Sequence, residues 1–535
     1  MKNVQVLDCT LRDGGRIIDC QFDDETITNI TRDLTDSGID IVEVGFLRSP
    51  ELVDYKGNST FFTETSQIQK FIPVDRKDTM YVAFIDYKMY DFENLEVCDK
   101  KSITGIRVGF TKQQFDTELE EIKSVLQSVK SKGYLLFVQT VNSLAYSDRE
   151  LLSLIDMVNE IDPYSFGIVD TYGAMYLEDM VHYYNLVDYN LKPTICIDIH
   201  SHNNFQSSFA FAQEIIRLSE GKRQVILDAT LNGMGKCAGN LNTELIVDYM
   251  NRKKSYDYNL DKLLDAIDRY LEPIKQQCEW GYSIPAFMAG IYKSHPNNII
   301  YLTSKYRLNS KDIKYIISGI DEKTRQRYDY DNIQRIYREY NDNQYDDTES
   351  ITKLTEKFAG REILIIAPGR TAKTCRDKIL SFIRDNKPIV ISVNFIPEEI
   401  LCDYHFYANP IHWGKVCKDI EREKCILVSS LHDHIRDTIL VDYSSLIVED
   451  SILYDNSTIM LLNLLKSVKV SKISLAGFDG LVGEQNNYVD IGFLNTNGRL
   501  SVAETNDEVK RLYNLFKKKV NGKISVKIIT PTLYE

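Results

Sequence analysis

Residues 4–16 read VQVLDCTLRDGGR, an alternating apolar run followed directly by charged residues and two glycines. The alternation is typical of a β-strand, and the charged residues stand where that strand would end. Further β-rich runs follow at intervals that leave room for a helix between them. Together with the first they number eight, and they cover residues 4–8, 41–46, 81–85, 105–110, 135–140, 165–170, 194–200 and 224–230.

Eight β/α units within about 250 residues predict a closed (β/α)8 TIM barrel joined by right-handed β-α-β crossovers. An open, doubly wound sheet has the same local pattern, so the strands alone leave that alternative open. The residues that follow the strands, described below, favour the barrel.

The 535 residues exceed what one hydrophobic core usually organises, so we expect an α/β protein of more than one domain. We predict a TIM-barrel domain over 1–258, a helical extension over 259–340, a linker over 341–356 and a Rossmann-like α/β domain over 357–535. The linker rests on the polar stretch NDNQYDDTES at 341–350, which lacks apolar periodicity. The last domain rests on strand-like runs at 362–367, 388–394, 425–429 and 473–476.

The composition excludes several classes of protein. Hydrophobic residues make up 43% of the chain and charged residues 27%, as in folded soluble proteins. A net charge of −14 argues against a nucleic-acid-binding surface. No run of 18 apolar residues occurs, so we expect no membrane span and a cytoplasmic location. The ten cysteines form no CxxC pair, so neither a zinc ribbon nor a disulfide framework is indicated.

Active sites of TIM barrels lie at the carboxyl ends of the strands, and three of these ends carry polar side chains that can bind a metal. Residues two apart in a strand face the same side, so His200 and His202 can converge. Asp13 after the first strand completes a two-histidine, one-carboxylate set, and Asn240 after the eighth can add an amide oxygen. Mixed nitrogen and oxygen ligands favour Mn²⁺, Mg²⁺ or Co²⁺ over a structural zinc. Two unrelated histidines are the alternative, which the combination with Asp13 disfavours.

Three segments resemble the signatures of the DRE-TIM metallolyase superfamily: LDCTLRDGG at 7–15, IHSHNN at 199–204 and NGMGKCAGN at 232–240. That family includes 4-hydroxy-2-oxovalerate aldolases, 3-hydroxy-3-methylglutaryl-CoA lyase and the isopropylmalate and homocitrate synthases. The resemblance covers residues 4–300, and DTYGAM at 170–175 and GIY at 290–292 are most similar to the aldolase branch. It implies a metal-dependent barrel that makes or breaks carbon–carbon bonds through an enolate.

The resemblance also implies roles for single residues. Asp13, His200 and His202 would be the metal ligands, with Asn240 in or near the coordination sphere and Mn²⁺ the favoured ion. Arg12 would be catalytic, donating charge-assisted hydrogen bonds to the oxygen of a 2-oxo acid that becomes the enolate. A simple salt bridge with Asp13 is the alternative role for this arginine.

Two positions depart from the family patterns. The aldolases carry an acid–base histidine where this chain has Arg16, whose guanidinium does not deprotonate at working pH. Arg16 remains a candidate active-site residue, acting on substrate binding, and Tyr292 is a candidate to position or protonate the aldehyde oxygen, unless it is a buried structural tyrosine. Cys237 lies near the position of a catalytic cysteine in the CoA-lyase branch, but its shorter offset from Asn240 favours an ordinary loop residue.

Weaker candidates follow other strands. Arg48, Gln139 and Thr171 are expected to contact substrate, with Arg48 suited to a carboxylate or phosphate. In the second half, Gly369 and Thr371 of IIAPGRT at 365–371 predict binding of a nucleotide or phosphorylated ligand through free amides at a helix start. A plain strand-to-helix turn is the alternative there.

The leading functional prediction is an aldolase that joins a 2-oxo acid of the pyruvate type to an aldehyde, or separates them. The second half of the chain faintly resembles Rossmann-like domains of bacterial surface-glycan biosynthesis, which suggests that the aldehyde is sugar-like. A Claisen-type acyl-CoA lyase or synthase is the second hypothesis, and a catalytically silent barrel that serves the C-terminal domain is the third. We also expect a homo-oligomer.

Overall fold

The structure is a computed structural model that describes residues 3–52, 59–305, 308, 310–327, 330–341, 345–431, 436–448, 451, 453, 456–483, 487–489 and 501–535. The chain divides into two compact units. The first comprises Met1–Pro296 and Arg325–Arg327, and the second Asn297–Thr324 and Tyr328–Glu535. No helix of the described residues has the length and apolar character needed to cross a bilayer.

Eight parallel strands of the first unit close into a barrel. They are β1 (Val4–Asp8), β2 (Ile41–Leu47), β3 (Met80–Asp86), β4 (Gly105–Thr111), β5 (Leu135–Val141), β6 (Ser165–Asp170), β7 (Cys196–Ser201) and β8 (Val225–Ala229). Each strand pairs with the next, and β1 pairs with both β8 and β2, which closes the sheet. A two-residue strand, Phe61–Phe62, pairs with the end of β2. The predicted TIM barrel is therefore confirmed.

Helices alternate with most of these strands and continue after the last one. They are α1 (Asp24–Asp36), α2 (Lys112–Ser131), α3 (Asp148–Ile161), α4 (Leu177–Asn190), α5 (Ser208–Ser219), α6 (Thr243–Lys254), α7 (Leu260–Ala266), α8 (Glu272–Lys275) and α9 (Ile284–Ile291). A π-helical turn, Ile267–Leu271, joins α7 to α8. In the described parts of the β2–β3 and β3–β4 connections, short 3₁₀ turns stand in place of an α-helix.

Helix α3 shows how the sequence sets an element of this barrel. Ser147 accepts a hydrogen bond from the backbone N–H of Glu150, and the Glu150 carboxylate accepts one from the Ser147 N–H, which makes a capping box. Leu151, Ile155 and Val158 recur at the spacing of one helical face and are buried. The cap therefore fixes where the helix begins, and the apolar face fixes which side packs on the barrel core.

The remaining helices of the chain are α10 (Pro296–Lys305), α11 (Ser310–Ser318), α12 (Glu322–Arg325), α13 (Tyr330–Asn341), α14 (Thr348–Phe358), α15 (Thr371–Thr374), α16 (Arg376–Asn386), α17 (Pro410–Val416), α18 (Ser457–Ser467) and α19 (Val502–Val520). Helix α14 begins inside the stretch predicted as a linker. Its buried residues, Leu354 and Phe358, come after the polar stretch 341–350. That stretch itself has no apolar pattern from which the start of the helix could be predicted. The domain boundaries given above stay predictions.

A second, seven-stranded parallel sheet lies in the second unit, so an α/β C-terminal region is confirmed. Its strands are β9 (Glu362–Ile366), β10 (Ile389–Val393), β11 (Tyr404–Tyr407), β12 (Cys425–Val428), β13 (Ile439–Val441), β14 (Lys472–Ala476) and β15 (Ser525–Ile528). Their spatial order is β13-β12-β11-β10-β9-β14-β15. The chain builds outward from β9 on one side and returns to its other side with β14, so the topological switch point lies between β9 and β14.

Candidate metal centre at the barrel mouth

The three side chains expected to bind a metal converge at the carboxyl ends of β1 and β7. Nε2 of His200 lies 4.0 Å from Oδ2 of Asp13, and Nε2 of His202 lies 3.8 Å from the same oxygen. One ligand atom from each of the three residues falls within 4.8 Å of the others. Both measured separations are shorter than twice a metal–ligand bond of about 2.1 Å, so one cation can reach all three groups.

Asn240 contacts this set through its side-chain amide. Its Nδ2 donates to Oδ2 of Asp13 and to the carbonyl of Met234, both at 3.0 Å. Since both neighbours are acceptors, the orientation of the amide is determined. Its Oδ1 is buried and has no hydrogen-bond partner among the described residues. Such an acceptor costs about 1–3 kcal/mol when unsatisfied, and a bound cation would satisfy it. The residues present therefore fit a divalent metal.

The protonation states suit metal binding. Burial lowers the pKa of both His200 and His202 to about 4, so the imidazoles are neutral and keep a lone pair for a ligand. Burial alone would raise the pKa of Asp13, but the charge of Arg12, with His202 and His200, holds it well below its usual value. The set therefore consists of one carboxylate and two neutral imidazoles.

Asp228 fixes the direction of the His200 ring. Nδ1 of His200 lies 2.9 Å from the Asp228 carboxylate, so the Nδ1 proton points there and Nε2 faces Asp13. Cys9 also comes close to this pair, as a second possible ligand group with His200 and Asp228. Burial raises the pKa of the Cys9 thiol well above its usual value, so this sulfur stays protonated and is the poorer ligand.

Below the metal set, the barrel interior holds an ionic network centred on Arg107. Its guanidinium lies 3.2 Å from Glu43, 2.9 Å from Asp198 and 2.5 Å from Asp228, and every one of these side chains is at most 1% exposed. Burial and the adjacent Asp228 raise the pKa of Asp198 to about 7. Gln139 donates to Asp198 at 2.6 Å. The predicted substrate residue Gln139 thus contacts this network.

The sequence analysis missed Arg107, Asp198 and Asp228. A signal was present, because each is a single charged residue within an apolar strand, in GIRVGFT, CIDIHS and VILDA. Fully buried charged side chains are almost always paired, so charges in barrel strands indicate partners across the interior.

Arg12 connects the network to the metal set. Its Nε donates to Glu43 at 2.6 Å and its Nη1 donates to Oδ1 of Asp13 at 2.7 Å. The guanidinium carbon lies 4.6 Å from the centre of the Phe84 ring. Burial opposes its charge, but Glu43 and Asp13 raise the pKa of Arg12 above its ordinary value. Within the described part of the chain, Nη2 has no hydrogen-bond partner, so one edge of a fixed cation remains for a substrate.

Two further arginines lie at the mouth around Phe46. Nε of Arg16 is 3.5 Å from Asp13, and Nη2 is 3.7 Å from Asp86, to which Arg48 also donates. The guanidinium carbons of Arg16 and Arg48 lie 4.7 and 5.0 Å from the Phe46 ring centre. The Arg16 side chain is 36% exposed, whereas that of Arg48 is 14% exposed. The mouth is therefore rich in permanent positive charge.

The structure does not bring every candidate into this group. Oγ1 of Thr171 accepts a hydrogen bond from the backbone of Asn142 at 2.9 Å, at the end of β6. Tyr292 directly follows α9, and its ring centre lies 5.8 Å from the Arg325 guanidinium. Neither contacts the metal set among the described residues, so their predicted roles stay predictions. Burial raises the pKa of Cys237 to about 12, which suits the ordinary loop residue better than a nucleophile.

In the second unit, the turn that carries Gly369 and Thr371 is packed against the turn after β14. The N–H of Gly369 donates to the carbonyl of Gly477 at 2.9 Å, and a Cβ at Gly369 would lie 2.3 Å from that oxygen. The Thr371 N–H donates to Oδ2 of Asp479 at 2.7 Å, and its hydroxyl donates to the same carboxylate. A protein carboxylate thus accepts the hydrogen bonds that a phosphate was expected to accept.

A closed parallel barrel with an aspartate and two histidines at its carboxyl-terminal mouth defines a TIM-barrel protein with a candidate metal site at that mouth. The HMGL-like family model matches residues 3–269, and this chain belongs to that family through its barrel. The resemblance to the DRE-TIM metallolyases is therefore confirmed.

Relatives of known function include synthases, aldolases and a decarboxylase. The mitochondrial homocitrate synthase of Saccharomyces cerevisiae is 24% identical over 328 residues, which are 58% of this chain and 69% of that protein. The 4-hydroxy-2-oxovalerate aldolase of Pelotomaculum thermopropionicum is 23% identical over 318 residues, 58% of this chain and 89% of that protein. Among solved structures, the N-terminal domain of a proposed aldolase from Bacteroides vulgatus matches with a TM-score of 0.50 and 20% identity, covering 59% of this chain and all of that one. This last match shows the fold alone.

We expect His200→Ala to abolish stoichiometric Mn²⁺ binding, because it removes one of three converging ligands. The measurement is metal content after dialysis, together with calorimetric titration of Mn²⁺. The matched control is His182→Ala, since His182 is exposed and bonded to Asp148 on the outer helices. Full Mn²⁺ binding by the His200→Ala protein would contradict the assignment of the metal to these three residues.

The lowered histidine pKa values predict an unusual pH dependence of metal binding. Two ligands with an ordinary pKa of about 6.5 would lose about 100-fold in affinity between pH 7.5 and 5.5, because each becomes about nine-tenths protonated. With the pKa of His200 and His202 at about 4, both stay neutral over that range. We therefore expect the Mn²⁺ affinity to change less than about twofold down to pH 5.5 and to fall below pH 5. Electron paramagnetic resonance of free Mn²⁺ measures this, and a 100-fold decline would contradict it.

Arg107→Met should lower the free energy of unfolding of the barrel by about 3–5 kcal/mol, because it leaves buried carboxylates without a counter-charge. Trp280 and Trp413 are the two tryptophans of the chain and lie in different units, so Trp280 fluorescence in a Trp413→Phe background reports the barrel during urea unfolding. Arg252→Met is the control, since Arg252 forms an exposed pair with Asp248 and should change stability by less than about 0.5 kcal/mol. Equal effects of the two substitutions would contradict the importance of the network.

Proposed function

We propose that the barrel is a divalent-metal-dependent aldolase that acts through the enolate of a pyruvate-type 2-oxo acid, with an aldehyde as the second substrate. One observation carries the proposal: the Asp13 carboxylate is shared. Its Oδ1 accepts from Arg12, and its Oδ2 faces His200 and His202. The cation site and the guanidinium are therefore neighbours that can act on adjacent atoms of one small substrate.

Asp13, His200 and His202 would hold the metal, with Asn240 offering its unsatisfied oxygen. Their mixture of nitrogen and oxygen donors favours Mn²⁺, with Mg²⁺ and Co²⁺ as the other candidates. When bound, the cation supplies Lewis-acid polarisation of a 2-oxo acid, an effect worth several kcal/mol. The chain's contribution is to fix the ligands, above all through the bond between His200 and Asp228.

Arg12 is the proposed catalytic residue. Two of its nitrogens are bound to Glu43 and Asp13, so the side chain cannot rotate away, and Nη2 can donate to the substrate oxygen that gains negative charge in the enolate. A prepositioned donor in a site with little water is typically worth about 2–4 kcal/mol in the transition state. Because the Arg12 guanidinium stays protonated, it stabilises charge and transfers no proton.

Arg16 and Arg48 are proposed to bind the anionic groups of the substrates. Arg16 is the more exposed of the two and stands where the related aldolases carry an acid–base histidine. Its permanent charge suits a carboxylate and excludes the role of a base. Tyr292 is proposed to position or protonate the aldehyde oxygen, and Thr171 to position the substrate from the end of β6.

The second substrate is proposed to be a sugar-like aldehyde, with surface-glycan biosynthesis as the setting. The support is the faint likeness of the second half of the sequence to Rossmann-like domains of such pathways. A Claisen-type lyase or synthase acting on an acyl-CoA is the other candidate function. The matches to homocitrate synthase and 2-isopropylmalate synthase, at 24% and 23% identity, favour keeping it.

The aldolase proposal predicts that metal-replete protein exchanges the methyl protons of pyruvate with solvent deuterium, without any CoA thioester. Forming the enolate requires removal of such a proton, so proton NMR of pyruvate in D₂O detects the step even when the aldehyde is unknown. Panels of aldehydes are added in a second series, because the partner can be needed before the proton is released. Exchange that occurs only with acyl-CoA substrates would support the Claisen alternative. Exchange with neither class of substrate would support the third hypothesis, a catalytically silent barrel.

Arg12→Ala should slow this exchange by about 10²–10³-fold, in line with the loss of one enolate-stabilising donor. Metal content is measured in the same preparation, so that loss of the cation is distinguished from loss of the guanidinium. Arg16→Ala should mainly raise the pyruvate concentration needed for half-maximal exchange. Arg252→Ala, on the exposed face of α6, is the matched control and should leave the rate unchanged. An Arg12→Ala protein with full metal content and the wild-type exchange rate would contradict the catalytic role proposed for Arg12.

A further inference from the structure

The second unit has its own cavity at the topological switch point of its sheet. In open parallel sheets, ligands bind outside the carboxyl ends of the strands at the point where the strand order reverses. Here that point lies between β9 and β14. A cavity of about 100 Å³ opens there, and its lining includes Gly369 and Gly477, whose backbones pack together as described above.

The lining of this inner cavity is polar but carries no cationic side chain among the described residues. Asn456, Ser457 and Asn487 offer amide and hydroxyl groups, and Tyr488 and Tyr534 offer aromatic faces. A neighbouring cavity of about 370 Å³, called the outer cavity below, shares the lining residue Asn394 with the first, which is called the inner cavity. That volume lies within the range of about 300–1,000 Å³ typical of small-molecule sites.

The one carboxylate of the inner cavity decides where an anion can bind. Asp479 accepts hydrogen bonds from the Thr371 N–H and hydroxyl, so its negative charge lies at the turn. A phosphate bound at the same amides would meet a like charge at contact distance, which costs free energy in a partly buried site. A carboxylate there can instead accept hydrogen bonds from ligand hydroxyls.

Cationic side chains line the outer cavity. Lys373, Arg376 and Lys415 are in its wall, against the acidic Glu398 and Glu399. Arg376 donates to Glu399, which neutralises that pair. Lys373 has no ion-pair partner among the described residues, so its charge is available to a ligand.

From this division of charge, we infer that the second unit binds a phosphorylated sugar or nucleotide. The sugar hydroxyls enter the inner cavity beside Asp479, and the phosphate lies in the outer cavity beside Lys373 and Lys415. This places the phosphate beside the side chains of Lys373 and Lys415 instead of at the backbone amides of Gly369 and Thr371, where the sequence pattern had suggested it. The inference is independent of the barrel chemistry, since every residue that carries it lies in the second unit.

Calorimetric titration of the full chain tests the inference with four probes: glucose 1-phosphate, adenosine monophosphate, adenosine and inorganic phosphate. We expect at least one of the two phosphorylated probes to bind with a Kd below about 1 mM, which corresponds to about −4 kcal/mol. That probe should bind at least tenfold more tightly than inorganic phosphate, because only it fills the inner cavity. Adenosine should bind at least tenfold more weakly than its monophosphate. No binding of either phosphorylated probe at 5 mM, or equal binding of inorganic phosphate, would overturn the inference.

Charge-reversal variants then locate the site. Lys373→Glu and Lys415→Glu should each weaken the phosphorylated probe at least tenfold, and both side chains are exposed, so folding is not at risk. Lys378→Glu is the matched control, an exposed lysine on α16 that lines neither cavity. If Arg48→Ala abolished binding of the probe and Lys373→Glu left it unchanged, the phosphate would be assigned to the barrel mouth and the inference would be overturned. Pyruvate exchange in the Lys373→Glu protein should stay at the wild-type rate, so failure of this site and failure of the aldolase proposal are distinguishable.

Discussion

The buried guanidinium of Arg107 is the interaction on which the barrel site depends. Charged groups with almost no solvent exposure need partners at hydrogen-bond distance, and Arg107 provides one for Glu43, Asp198 and Asp228. Two of these carboxylates also contact residues at the barrel mouth. Glu43 holds Arg12 at its Nε, and Asp228 holds the ring of His200. The Arg12 guanidinium and the candidate metal ligand His200 are therefore positioned by one buried cation.

Such a network contributes position more than stability. Removing charges from water costs several kcal/mol for each ion, and the mutual attraction only offsets that penalty when the geometry is good. An apolar interior of equal volume would be at least as stable. What the network provides is rigidity, because side chains at the mouth cannot change rotamer without leaving a buried charge unpaired. A site that must hold a cation and a guanidinium beside one carboxylate, Asp13, requires that rigidity.

The sequence predicted the mouth of the barrel better than its interior, for a physical reason. His200 lies at the end of β7, and Asp13 and Asn240 fall in the segments that follow β1 and β8. Strand ends of a parallel barrel all meet at one rim. Arg107 lies alone within an apolar run, and its partners come from three other strands. Which of them it faces depends on the register of the closed sheet, which local periodicity does not contain. A single charge in a strand therefore predicts that a partner exists without saying which residue it is.

In the second unit, element length limited what could be predicted. The strands predicted from the sequence have four or five residues and are largely apolar and buried. The missed β11 has four residues but carries a histidine and two tyrosines, β13 has only three residues, and β15 is half-exposed. Three or four residues do not establish a period of two against the background of loops. The order of the strands, and hence the switch point, could be read only from the assembled sheet. The turn at Gly369 was visible in the sequence, but its partner Asp479 was not, because more than a hundred residues separate them.

The positive field at the barrel mouth bears on how a proton could move there. Arg12, Arg16 and Arg48 are permanent cations, which suits them to the proposed binding of anions and stabilisation of an enolate, but none of them can act as a base. The same field reaches the groups around them: burial, and then the charge of Arg16, lowers the pKa of Lys236, and burial with Lys236 and Arg16 lowers that of His295 to about 4. A field that disfavours further positive charge lowers the proton affinity of the groups near it, which makes His295 and Lys236 weaker bases than they are in water. With Arg16 in place of the family histidine, the proposed reaction therefore needs a proton acceptor that lies outside the reach of this field.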